Sequence, residues 1–325
     1  MIHKFPLLVL AAVILGGCAL EGEYISPYVH DIRSDRGLVI VLPGIEGRSP
    51  LNEAICDGLV DGGVQWAVDL IDWTSPVPMN YLMNLRDQAR NRSKAEEIAH
   101  RIIRYKMAYP GRPVVLVGQS GGGGMAVWVA EALPADERID GIIMLAAALS
   151  PDYSLDTALA KCDRGIISFY SSNDWFILGV GTTISGTMDG EHTSSAGRVG
   201  FYPPLARQSA ELYARKLFQI PWQPEMADVG YTGTHLTSGA RTFVAQYVAP
   251  FVQSQRWDLQ YVQAVLGGRA EMPTSAPATR RTVPPVSEPT GPPPQRPART
   301  PPLHSLPALA PAERTGPPVS PPSLP

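Results

Sequence analysis

The sequence has little cysteine, no excess of charge of either sign, and no apolar run long enough to span a membrane comfortably. Its three cysteines are too few for a disulfide framework, and no cysteine–histidine cluster has the spacing of a zinc site. The 27 Lys and Arg residues nearly balance the 30 Asp and Glu residues, which argues against nucleic-acid binding through a general basic surface. We therefore expect no metal, no cofactor and no nucleic-acid partner.

Proline is abundant and unevenly placed. Of the 33 prolines, 18 fall in residues 271–325, many of them in consecutive pairs. Each proline removes a backbone donor and fixes φ, so this stretch cannot form helices or sheet ladders. We expect residues 267–325 to be a disordered, solvated tail. It could act as a passive spacer or engage an envelope partner, and the sequence leaves both open.

The first residues have the features of an export signal. A short basic start ending at Lys4 precedes an apolar run over residues 5–15, about 11 residues against the roughly 20 of a spanning helix. Small residues then lead into Cys18. This segment resembles a bacterial lipoprotein signal peptide, which implies cleavage after residue 17 and acylation of Cys18, for example with palmitate. An ordinary cleaved signal or an uncleaved anchor is the alternative. Lipidation would place the protein in the bacterial cell envelope, anchored to a membrane on the extracytoplasmic side.

The two remaining cysteines, Cys56 and Cys162, could pair in an oxidising compartment, but nothing in their separation favours it. We expect two buried thiols.

One domain is expected at residues 37–266, after a linker at residues 18–36. Runs rich in Val, Ile and Leu predict strands at residues 38–42, 64–70, 113–117, 139–147 and 166–170, and more weakly at 216–222. Helical patterns fall between them, and the spacing of Ser93 and Glu96 predicts a capping box at the start of one helix. Alternating strands and helices predict an α/β fold, with a mostly parallel central sheet and helices on both faces.

The strongest local signal is a Gly-x-Ser-x-Gly motif. The strand at 113–117 runs into Gly118, Ser120 and Gly122, and a helix follows. In that context the serine occupies a strained turn that exposes its hydroxyl as a nucleophile. The Gly121 amide, at a helix N-terminus, would face the developing oxyanion. The motif lacks the lysine of a Walker loop and the glycine spacing of a dinucleotide fingerprint.

A nucleophilic serine needs a general base, and the chain has six histidines. Four lie in unsuitable places: His3 in the signal, His304 in the tail, His30 before the first strand and His100 within a helix. Of the others, His235 follows the last predicted strand in a glycine-bearing loop, whereas His192 lies in a Gly/Ser/Thr-rich stretch. We therefore favour His235 as the base.

The imidazole needs a buried carboxylate to fix its tautomer. Asp174 lies in the loop at the carboxyl end of the strand at 166–170, which is where active sites of parallel sheets form. Asp163 lies at the other end of that strand, and Asp189 lies deep in a loop. Asp174 is therefore the predicted carboxylate, although a turn-forming role would also explain it.

The order serine, aspartate, histidine resembles the α/β-hydrolase superfamily, and its esterases and lipases in particular, over about residues 37–254. The resemblance implies a second oxyanion donor in the loop after the first strand, which by motif position would be the Ile45 amide. Many relatives have a histidine where this chain has Pro43. With Ser120, Asp174 and His235 as the catalytic residues, it implies a membrane-anchored serine hydrolase cleaving carboxylic esters, or less favourably thioesters or amides, through an acyl-enzyme.

Two other functions remain open. An acyltransferase would use the same intermediate with an alcohol in place of water, and a non-catalytic envelope lipoprotein would bind a partner through its tail. The apolar segment at residues 73–83 could be a short lid that binds an acyl chain, or could simply pack on the core. The substrate would be a small ester or a lipid.

Replacing Cys18 with serine should release the protein from the membrane fraction. Two or more acyl chains would hold it there durably, because each buried methylene contributes about 0.8 kcal/mol. Fractionation of cells expressing the wild type and Cys18→Ser measures this directly. A variant that stays unprocessed and fully membrane-bound would show that another segment is the anchor.

Overall fold

The computed structural model describes residues 26–77, 80–174 and 186–268. The chain divides into two units, Met1–Val286 and Ser287–Pro325, and every described residue belongs to the first. The predicted signal peptide, Cys18 and the predicted tail beyond residue 268 lie outside the described residues.

The centre of the domain is a parallel sheet of six strands in the order β2-β1-β3-β4-β5-β6. The strands are β1 (Leu38–Leu42), β2 (Ala67–Leu70), β3 (Val114–Gln119), β4 (Ile139–Leu145), β5 (Cys162–Tyr170) and β6 (Leu217–Pro221). Every residue of β1, β2 and β3 is buried. Strands covered on both faces read as continuous apolar runs, so the sequence pattern and the observed burial agree.

Helices cover both faces of this sheet. They are α1 (Asp31–Ser34), α2 (Pro50–Asp61), α3 (Tyr81–Arg86), α4 (Gln88–Ala108), α5 (Gly121–Glu131), α6 (Asp156–Lys161), α7 (Ala196–Val199), α8 (Arg207–Lys216), α9 (Arg241–Phe243), α10 (Ala249–Gln253) and α11 (Leu259–Leu266). Helix α2 packs with α9 and α10 on one face, while α4, α5, α6 and α8 pack successively on the other. The predicted α/β fold with a parallel sheet between helical layers is confirmed. No helix among the described residues has the length and apolar character to cross a bilayer.

The predicted capping box at Ser93 is wrong, because helix α4 begins five residues earlier. The Asp87 side chain caps it by accepting a hydrogen bond from the Arg90 amide at 3.1 Å. The first turn also buries Asn91, whose side-chain Nδ2 donates to the Asn84 backbone carbonyl at 2.6 Å. A helix start whose buried contacts are polar leaves no apolar periodicity, so the sequence pattern starts the helix too late.

The helical region after β6 is interrupted at residues 244–248. A π-helical turn, Val244–Val248, separates α9 from α10, which carries Pro250 in its first turn. Proline has no N–H to donate and its ring crowds the carbonyl four residues back, so the helix widens just before it. Helix α11 follows and was not predicted.

Cys56 and Cys162 are free and buried, as expected. Burial raises the pKa of both thiols well above the usual range. Both therefore remain protonated and unreactive at neutral pH.

Candidate active site

Ser120 lies in a strained turn between β3 and α5. Its φ is 56° and its ψ is −121°, a backbone conformation that a non-glycine residue adopts only when the surroundings impose it. Here the neighbouring strand imposes it. The Ser120 amide donates to the Leu145 carbonyl at 2.9 Å, and the Ala148 amide donates to the Ser120 carbonyl at 3.0 Å. The turn is thus held at both its amide and its carbonyl.

The two glycines that flank the serine are required by close backbone approach. A Cβ on Gly118 would lie 2.2 Å from the Gly122 carbonyl oxygen. A Cβ on Gly122 would lie 2.0 Å from the Leu42 carbonyl oxygen. Both distances are far below contact, and the obstructing atoms are backbone atoms that cannot swing aside. Only Gly-x-Ser-x-Gly lets the start of α5 pack against the end of β1.

His235 and Asp174 form a buried pair. The Nδ1 atom of His235 lies 2.8 Å from Oδ2 of Asp174, and the side chains are only 8% and 3% exposed. Asp174 ends a turn after β5, in which its amide donates to the Ser171 carbonyl at 3.0 Å. His235 begins a short 3-10 helix, His235–Thr237, in the segment after β6. Gly233, with φ of 84°, lets the two loops meet, since a Cβ there would lie 3.0 Å from the Ser171 hydroxyl.

An ionised carboxylate can only accept, so the His235–Asp174 hydrogen bond places the imidazole proton on Nδ1. The Nε2 atom is then left as a base. Gln119, the residue before Ser120, also reaches the histidine, because its Nε2 atom lies 3.5 Å from the His235 carbonyl oxygen. Within the described residues Ser120 Oγ makes no hydrogen bond. A hydrogen bond between a serine and its base often tightens only when substrate binds.

The loop after β1 presents the Ile45 amide beside Gly121. The Gly44 carbonyl accepts a hydrogen bond from the Gly47 amide at 3.1 Å. In a trans peptide the C=O and the next N–H point in opposite directions, so the Ile45 N–H faces away from this turn. The Ile45 nitrogen lies 3.5 Å from where a Cβ on Gly121 would be, and it donates to no acceptor among the described residues. The Gly121 and Ile45 amides are thus neighbours, which suits a shared oxyanion.

Sequence reasoning missed the residues that orient this loop. Trp73 donates from its indole nitrogen to the Pro43 carbonyl at 2.7 Å, and Asn84 donates to the Ile45 carbonyl at 2.9 Å. Asp72 accepts from the Arg48 amide at 2.9 Å. The position of Asp72, just past the carboxyl end of β2, was a usable signal, because polar residues at strand ends gather at one edge of a parallel sheet.

The rejected candidates lie elsewhere. His192 is exposed. Asp189 accepts hydrogen bonds from the amide and hydroxyl of Ser150, at 2.9 and 2.5 Å, and so supports a loop. Asp163 is exposed near the amino end of β5. In the part of the chain that the structure describes, no three His, Cys, Asp or Glu residues are placed to hold a metal ion.

A strained serine turn after β3, a carboxylate after β5 and a histidine after β6, on a parallel sheet of this order, are the arrangement of the α/β-hydrolase fold. No protein-family model and no curated protein matches the sequence. Solved structures resemble the fold: dienelactone hydrolase from Anabaena variabilis (19% identity, 66% of this chain and 84% of that one, TM-score 0.39), Aspergillus fumigatus lipase B (12%, 77% and 60%, 0.44) and Est1E from Butyrivibrio proteoclasticus (15%, 68% and 88%, 0.39). At this level the similarity describes the fold and not the reaction.

Replacing Asp174 with asparagine should lower kcat for an activated ester by roughly 10³–10⁴-fold, because an amide can hold the imidazole in the wrong tautomer. Thermal unfolding of the variant checks that the fold survives. Asp163→Asn is the matched control, since it removes an exposed carboxylate from the other end of the same strand. Similar kcat values for the two variants would exclude Asp174 from the site.

Proposed function

We propose that this protein is a serine hydrolase that cleaves carboxylic esters, and less favourably thioesters or amides, through an acyl-enzyme on Ser120. The observation that carries the proposal is the buried His235–Asp174 pair at the same edge of the sheet as the strained serine turn. A protein that only binds a partner needs neither the strain at Ser120 nor a solvent-shielded His–Asp pair.

The geometry supports the following reaction. The Ser120 hydroxyl oxygen attacks the ester carbonyl while its proton passes to Nε2 of His235. The carbonyl oxygen becomes an oxyanion, which accepts hydrogen bonds from the Gly121 and Ile45 amides. When the tetrahedral intermediate collapses, the C–O bond breaks and the imidazolium returns its proton to the leaving alcohol. Asp174 stabilises the imidazolium throughout.

The second half-reaction uses the same groups. Water loses a proton to His235 and attacks the acyl-enzyme, and the Ser120 oxygen then leaves with that proton. An alcohol in place of water would make the protein an acyltransferase. Product analysis with added alcohols distinguishes these outcomes.

An apolar acyl group fits the surroundings of this site best. Val77, Leu82 and Met83 are 59%, 48% and 52% exposed. They belong to the same segment as Asn84, whose side chain holds the loop after β1 by donating to the Ile45 carbonyl. The Asn84 side chain also accepts from the Ser75 amide at 2.8 Å. Exposed apolar side chains on the segment that carries Asn84 suit the hydrocarbon part of an ester.

We also propose a location. Acylation of Cys18 would anchor the enzyme to a membrane in the bacterial envelope, facing away from the cytoplasm, and the proline-rich tail would act as a spacer or engage an envelope partner. The support for this is the sequence pattern alone.

A fluorophosphonate probe should label the wild type on Ser120 and leave Ser120→Ala unlabelled, because the probe reacts only with an activated hydroxyl. Ser93→Ala, which removes an exposed serine from α4, is the control and should label normally. Peptide mapping identifies the modified residue. Strong labelling of Ser120→Ala would refute the nucleophile, and an unreactive wild type would favour the binding-protein alternative.

The double variant Leu82→Ser/Met83→Ser should lower kcat/KM for long-chain nitrophenyl esters and leave short-chain esters nearly unchanged. Each methylene that loses an apolar contact costs up to about 0.8 kcal/mol, so the loss of two or three such contacts lowers kcat/KM by up to roughly 15- to 60-fold. Met107→Ser, which changes an exposed methionine at the end of α4, is the control. An equal loss for all chain lengths would mean that these side chains do not contact the acyl group.

A further inference from the structure

The side chain of Gln119 has an oxygen that needs a donor. Gln119 is 4% exposed and directly precedes the nucleophile. Its Nε2 atom faces the His235 carbonyl, and its Oε1 atom is buried with no hydrogen-bond partner among the described residues. The opposite orientation of the amide would set Oε1 against the His235 carbonyl oxygen, which also only accepts. A donor is therefore missing on the side of Gln119 that faces away from the histidine.

The Glu46 carboxyl, from the loop after β1, lies on that side. A Cβ built on Gly44 would lie 2.2 Å from Oε2 of Glu46 and 3.1 Å from Oε1 of Gln119, so both oxygens lie beside the same point. The other carboxyl oxygen of Glu46 accepts from Asn52 at 3.2 Å. Two oxygens that only accept can attract each other only if one of them carries a proton.

The surroundings of Glu46 shift the pKa of its carboxyl in both directions. Burial raises its pKa, and nearby Asp72 adds to the rise. Three groups oppose it: the Glu46 amide, the Asn52 side chain and His235. The net effect raises the pKa of Glu46, with His235 and Asp72 as the titratable neighbours.

We propose that Glu46 is a positioning residue that keeps its proton and donates it to Oε1 of Gln119. The role in catalysis rests on the proposed function. The neutral acid joins the loop after β1 to Gln119. Gln119 in turn donates to the His235 carbonyl and so extends the connection to the histidine. Loss of the proton would set a carboxylate against an amide oxygen and push apart the loops that carry Ile45 and Ser120.

Glu46→Gln and Glu46→Ala separate this role from its alternatives. A glutamine amide can donate to Gln119 and accept from Asn52, so Glu46→Gln should keep kcat/KM for an activated ester within about threefold of the wild type, whereas Glu46→Ala should lose at least about tenfold. The wild-type rate should fall as pH rises through the pKa of Glu46, and Glu46→Gln should lack this fall. Glu53→Gln, on nearby α2, should keep the wild-type profile.

Stability gives a second measurement that needs no activity. An unfolded glutamate has a pKa of about 4.3. Between that pH and the raised pKa in the folded protein, the folded-to-unfolded ratio of the wild type should fall about tenfold per pH unit relative to Glu46→Gln. The difference in unfolding free energy between wild type and Glu46→Gln should change least below pH 4.3, because Glu46 is then protonated in both the folded and the unfolded state. Above the raised pKa this difference should be constant. Denaturant unfolding at a series of pH values measures it.

The two measurements fail differently. If the wild type hydrolyses nothing, the proposed function fails while the stability series still decides whether Glu46 holds a proton. A pH-independent stability gap above pH 5 would overturn the proposal. So would a Glu46→Gln variant as inactive as Glu46→Ala, which would instead mean that a negative charge at Glu46 supports the imidazolium.

Discussion

The site depends on how closely two stretches of backbone approach beneath Ser120. The start of α5 lies against the end of β1, with no room for a side chain between Gly122 and the Leu42 carbonyl. This approach requires glycine beside the serine, while hydrogen bonds to Leu145 and Ala148 hold Ser120 at its positive φ. It also brings the loop after β1 against Gly121, so that amides from two distant segments become neighbours. Packing of backbone on backbone thus positions the serine turn and the Gly121 and Ile45 amides together.

The loop after β1 has a defined orientation because its carbonyls are occupied. Trp73 and Asn84 bind the Pro43 and Ile45 carbonyls, and the Gly44 carbonyl closes a turn. With these acceptors satisfied, the Ile45 N–H is left for a ligand oxygen. In the proposed reaction, a donor that is fixed beforehand needs no reorganisation as charge develops on the oxyanion.

Burial sets the strength of the remaining polar contacts. The His235–Asp174 pair is almost fully shielded from water, so its electrostatic coupling is stronger than that of an exposed pair. The same shielding makes a buried oxygen without a donor costly, as at Gln119. The segment that carries Asn84 also presents exposed apolar side chains at Val77, Leu82 and Met83. These side chains suit the hydrocarbon acyl group of the proposed ester substrate.

Local patterns in the sequence determined the α/β class, the parallel sheet and the serine turn, because buried strands and Gly-x-Ser-x-Gly depend on residues close along the chain. Asp174 and His235 could be selected by position, since each follows a predicted strand, but their 2.8 Å contact depends on how β5 and β6 pair. Tertiary structure alone decided the start of α4 and the parts played by Trp73, Asn84 and Glu46. The atoms that these residues contact lie on distant segments or are buried polar atoms. Contacts of either kind produce no periodic pattern of apolar residues in the sequence.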